Sequence, residues 1–104
     1  MPWQPLARLE EVPEGGLREV FAGEPLLLVR VGGEVHCVAA VCPHKFGLMA
    51  EGELAGHHLT CPVHTATFDV RTGQPQPGQE WAGRLATYPV RVVAGVVEAD
   101  VPGA

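Results

Sequence analysis

Apolar residues fall in short runs that end at Gly or Pro, and no run holds a helical period for long. Residues 26–31 and 34–40 are rich in Leu and Val, and Gly32-Gly33 joins them. Two glycines tolerate the positive φ angles of a tight two-residue turn, so the pair predicts a β-hairpin. Residues 88–93 and 96–101 flank Ala94-Gly95 and predict a second one. In the last run Val97, Ala99 and Val101 alternate with Glu98 and Asp100, the pattern of a half-buried strand. Shorter strands are expected at 18–21 and 67–70, and one helical turn at 7–12, stopped by Pro13. Many short strands with Gly and Pro turns predict an all-β sandwich or barrel. Residues 41–63 break the pattern: they hold few good strand residues, and Cys and His gather at their two ends.

Composition narrows the classes. A chain of 104 residues with 46% hydrophobic and 18% charged residues has the make-up of one globular domain, read here as spanning 1–104. Lys and Arg total 7 against 12 acidic residues, and no basic run exists, so nucleic acid and anionic membrane are poor partners. The longest apolar stretches, 26–29 and 38–42, fall far short of a bilayer span. The start, Met1-Pro2-Trp3-Gln4-Pro5, lacks the basic and apolar segments of a signal peptide, so the expected location is the cytoplasm. The 3 cysteines are an odd number, which argues against a disulfide scaffold.

The candidate chemistry lies in Cys42-Pro43-His44 and Cys61-Pro62-Val63-His64. Thiolate is a soft ligand and imidazole a borderline one, so the set suits an iron–sulfur, zinc or copper centre. A proline after each cysteine restricts the loop before any metal closes it. A zinc finger built on two cysteines and two histidines pairs Cys with Cys and His with His, whereas both pairs here are mixed. His36, His57 and His58 are read as ordinary residues, because adjacent His57 and His58 point to opposite faces of an extended chain. Cys37, within the expected strand 34–40, is read as a small buried hydrophobe.

The C-x-H and C-x-x-H pairs, sixteen residues apart, resemble the Rieske family. Glu51-Gly52, Leu59-Thr60, the stretch Phe68-Asp69-Val70-Arg71-Thr72-Gly73 and the closing Tyr88-Pro89-Val90-Arg91-Val92 extend the likeness over nearly the whole chain. The resemblance implies a small fold of stacked antiparallel sheets with two cluster-binding loops. It implies one [2Fe–2S] cluster, with Cys42 and Cys61 on one iron and His44 and His64 on the other. It also implies that the two histidines reach the surface as the electron's exit path, and that the potential falls with rising pH. Gln74-Pro75-Gln76-Pro77-Gly78 resembles the family's proline loop over the cluster and reads equally well as an ordinary turn. Lys45 stands where the family often has Arg, for docking or as a solvated charge; Trp81 is expected to pack over the core.

Membrane-complex Rieske proteins carry an extra disulfide between their ligand loops, where this chain has Gly47 and Val63. Their cluster-side Ser and Tyr hydroxyls correspond to Ala66 and Phe68. Without those two hydrogen bonds the potential is expected near the low end of the family span, roughly −150 mV. The resemblance therefore implies a soluble ferredoxin, not an enzyme, carrying one electron from a flavin-containing or other reductase to a terminal oxygenase or similar acceptor. A small Rieske-like subunit of an assimilatory nitrite reductase and a zinc-stabilised interaction domain are the alternatives.

Overall fold

The computed structural model describes residues 3–42, 48–63 and 65–101. Among the described residues, ten strands form three antiparallel sheets. The central sheet orders β2 (Gly16–Phe21), β3 (Pro25–Val31), β4 (Glu34–Ala39) and β8 (Thr87–Tyr88) as β2-β3-β4-β8. The second orders β1 (Trp3–Arg8), β9 (Val90–Val93) and β10 (Val96–Asp100) as β1-β10-β9. The third is β5-β6-β7, from Glu53–Ala55, His58–Thr60 and Thr67–Asp69.

β3 organises the core because it is buried on both faces. Leu27 and Val29 join a cluster with Cys42, Met49, Leu59, Cys61 and Phe68. Leu26 and Leu28 face the opposite way, into a cluster with Cys37, Val97 and Ala99. Period-two alternation thus makes one strand the partition between two cores, which explains its unbroken apolar run. The expected β3–β4 hairpin forms, with Gly32 at φ 59° and Gly33 at φ 82°. Both turn amides donate to the Glu14 carboxylate, at 2.7 and 2.8 Å, and hold that carboxyl below its usual range.

Two expectations are corrected. The first half of 7–12 is not helical: β1 runs to Arg8 and pairs with β10, and only Leu9–Glu11 forms a short 3-10 turn. Pro5 masks β1 in the sequence pattern, yet it lies in the strand beside a register shift, where a missing N–H is tolerated. The Arg30 guanidinium then pins the turn by donating to the carbonyls of Leu9 (3.3 Å) and Val12 (3.1 Å). The expected strand 88–93 is likewise two strands. Tyr88 pairs with Cys37 in the central sheet, while Val90 pairs with Ala99 in the second. Pro89 is the crossing point: it lacks an N–H, and its carbonyl accepts the Asp100 amide at 3.0 Å. The last hairpin forms as expected, with Val97 and Ala99 buried and Glu98 paired to Arg91 at 2.7 Å, although Asp100 is buried as well.

Candidate metal centre

Two loops leave the sheets with a cysteine at their base. β4 delivers Cys42, and its loop is closed by an antiparallel bridge between Val41 and Leu48 and by the Met49 amide donating to the Ala40 carbonyl at 2.8 Å. β6 delivers Cys61, whose amide donates to the Ala66 carbonyl at 2.7 Å while the Thr65 amide donates back to the Cys61 carbonyl at 3.1 Å. That tight reversal places Thr65 at φ 60°, a left-handed conformation rare for a residue with a Cβ. Gly52 fits closely under the same loop, since a Cβ there would lie 2.0 Å from the Thr60 carbonyl oxygen.

The structure brings Cys42 and Cys61 into one core cluster, both fully buried. Their histidine partners in sequence, His44 and His64, lie outside the described residues, as do Lys45 and Gly47. Ala66 and Phe68 are buried in the same cluster and offer no side-chain hydroxyl. The third cysteine, Cys37, belongs to the other core, as expected of a packing residue. Burial, with the nearby Glu24 charge, pushes its thiol up to about 12, so it stays protonated at neutral pH.

Residues 74–79 lie against the second loop. Pro75 bridges to Phe68, and the Gln76 amide donates to the Thr67 carbonyl at 2.8 Å. The Gln79 carboxamide works at both ends: its oxygen accepts the Thr67 amide at 2.8 Å, and its nitrogen donates to the Thr65 carbonyl at 3.3 Å. Gln79 is a positioning residue that the sequence pattern does not reveal, because its partners lie 12 and 14 positions away in irregular chain. Trp81 corrects an expectation. The 3-10 turn Glu80–Ala82 directs Ala82 inward, leaving Trp81 52% exposed instead of packed over the core.

Next to the loop, Asp69 and Arg71 form a two-bonded ion pair at 2.7 and 3.0 Å. The Arg71 hydrogen bond takes the Asp69 carboxyl down to about 2. The pair rigidifies the turn that follows β7.

The Rieske [2Fe-2S] domain family matches residues 2–89. The anthranilate 1,2-dioxygenase ferredoxin subunit of Burkholderia cepacia is 32% identical over 102 residues, covering 95% of this chain and 92% of its own length. The solved Sphingomonas yanoikuyae B1 ferredoxin matches with a TM-score of 0.86 at 28% identity, covering 97% of this chain and 100% of that chain. A chain in the complex of reduced oxygenase and oxidized ferredoxin in carbazole 1,9a-dioxygenase matches with a TM-score of 0.85 at 28% identity, over 93% of this chain and 91% of that one.

Proposed function

The chain belongs to the Rieske [2Fe-2S] family, and from that premise we propose that Cys42 and Cys61 ligate one iron of its cluster and His44 and His64 the other. The observation that carries the assignment is the convergence of two fully buried cysteines from two separately closed loops. A buried thiol pair fits a soft metal centre, whose binding requires both as thiolates. When bound, the Rieske-type cluster accepts and releases one electron. The protein is an electron carrier and not an enzyme.

The chain's own residues set the terms of that transfer. Cys42 and Cys61 keep their sulfurs away from water. His44 and His64, as neutral ligands, leave the centre about two charges less negative than four thiolates would. Ala66 and Phe68 present no hydroxyl, which favours a potential toward the low end of the family span. Gln79 and Gln76 hold 65–67 in place beside Cys61.

The electron comes from a flavin-containing or other reductase and passes to a terminal oxygenase or similar acceptor. The names of the relatives support the acceptor: one is a dioxygenase ferredoxin subunit, and one belongs to an oxygenase–ferredoxin complex. The same names favour the carrier over a nitrite reductase subunit or a zinc-stabilised domain. The whole chain, 1–104, is read as one domain, because β10 pairs with β1 across its length. A cytoplasmic location fits the odd number of cysteines, which leaves no full disulfide framework; no described helix is long and apolar enough to cross a membrane.

Reconstitution tests the carrier. With a ferredoxin reductase, NADH and a Rieske-type terminal oxygenase, the purified protein is expected to make product formation dependent on its own concentration. Its net charge of −5 predicts a coupling rate that changes with ionic strength. A protein that the reductase reduces but that supports no turnover with any such oxygenase would contradict the assigned acceptor.

A further inference from the structure

A second set of metal-capable side chains lies away from the cysteines. Glu34 and His36 are two apart on β4 and so share one face of the strand. His57 lies in the turn before β6, where its carbonyl accepts the Val70 amide at 2.9 Å. One ligand atom from each of the three falls within 4.8 Å of the others. The Glu34 carboxylate oxygen is 3.5 Å from His36 Nε2 and 3.8 Å from His57 Nε2. Ligand atoms around tetrahedral zinc, each about 2.0–2.1 Å from the metal, stand roughly 3.3–3.4 Å apart, close to the two carboxylate–imidazole distances.

The two imidazoles carry the argument. Both Nε2 atoms are sealed from solvent, and neither has a hydrogen-bond partner. The rings meet edge to face with centroids 5.8 Å apart. Buried polar nitrogens without partners are costly, and two that face one carboxylate oxygen are rarely left so. A divalent cation at the common point would satisfy both at once. Glu34 itself is 68% exposed, and with His36 it lines a groove of about 730 Å³, leaving room for water as a further ligand. Arg71 lines the same groove, and its guanidinium feels both Asp69, to which it makes two bonds, and Glu34.

We infer that Glu34, His36 and His57 form a second metal site, two imidazoles and one carboxylate that take Zn²⁺ or a similar borderline divalent cation. The site is separate from the cysteine loops. His36 precedes Cys42 by six positions and His57 precedes Cys61 by four, roughly 20 and 13 Å of extended chain. The chain segments through β4 and β6 thus each carry one such histidine upstream and one cysteine downstream. A cation there ties β4 to the β5–β6 turn and stiffens the strands that lead into the two loops.

The test uses the cluster-loaded protein, with its visible absorption followed throughout. Zn²⁺ titrated by calorimetry in chelator-free buffer is expected to bind once per chain with the visible spectrum unchanged, and to raise the Tm. His36→Gln and His57→Gln should each weaken binding by at least about tenfold, whereas His58→Gln, at the exposed neighbouring histidine, should not. Absence of saturable binding would overturn the site. So would unchanged affinity in the His36→Gln/His57→Gln double variant with its visible spectrum intact. Binding accompanied by bleaching would overturn it too, since zinc would then be displacing iron. The site does not rest on the assignment of the cluster ligands, and the visible spectrum of the same sample reports on that assignment separately.

Discussion

At the residue scale, the region around Cys61 is held less by regular pairing than by single side chains. Gln79 contributes two hydrogen bonds to the backbone of 65–67. Each is worth about 0.5–1.5 kcal/mol net, so Gln79→Ala should destabilise the protein by about 1–3 kcal/mol and speed cluster loss. Chemical denaturation and the decay of visible absorption check both effects. Ala66 and Phe68 allow a second prediction. Adding hydroxyls by Ala66→Ser and Phe68→Tyr should raise the midpoint potential, by roughly 20–60 mV for each hydrogen bond gained to a cluster-side sulfur. Protein-film voltammetry reads this directly; unchanged or lower potentials in both variants would contradict the place given to these two residues.

Side-chain type and spacing single out Cys42, His44, Cys61 and His64 as candidates, because few other arrangements put mixed Cys–His pairs beside prolines, and the fold places Cys42 and Cys61 in one core. Cys37 is legible too, by its place in an apolar strand. Gln79, and the meeting of His36 with His57, are not. Each depends on chain segments that only the fold brings together: β4 and the β5–β6 turn are remote in sequence and belong to different sheets. That His57 and His58 point to opposite faces is sound for an extended chain but says nothing of what either face meets.

At the element scale, the hairpins are legible where turn chemistry is explicit. Gly32-Gly33 and Ala94-Gly95 both form tight turns with positive φ, Ala94 included at 52°. The two corrected elements share a physical cause, which is proline. Pro5 interrupts the alternation of a strand that nevertheless pairs, and Pro89 marks where the chain leaves one sheet for another. A six-residue run of strand-forming residues cannot tell one strand from two that change partners. β3 is the element on which the fold most depends, since it faces both cores. Leu27→Ala and Leu28→Ala should each cost about 2–5 kcal/mol, yet differ in consequence. Leu27 shares its cluster with Cys42 and Cys61, so its loss should also make the visible chromophore more labile; Leu28 packs with Cys37 and should lower stability without that effect. Thermal denaturation beside bleaching kinetics separates the two.

At the scale of the whole molecule, three small sheets share two cores, and only one core contains Cys42 and Cys61. The division explains how 104 residues hold a cluster: one core secures the sandwich of β1, β9 and β10 on the central sheet, and the other anchors the loops. The net charge of −5 and the exposed Val63, two positions beyond Cys61, define a surface that is acidic overall and apolar near Cys61. The central claim is the mixed ligand set. Pulsed EPR of the reduced protein tests it most directly, because nitrogen ligands couple to the unpaired electron. Hyperfine coupling from two histidine nitrogens is predicted, shifted by ¹⁵N-histidine labelling, kept in Cys37→Ala and lost with the signal or altered in His44→Ala and His64→Ala. A reduced iron–sulfur signal with no nitrogen coupling, or the full pair of couplings retained in either histidine variant, would contradict it.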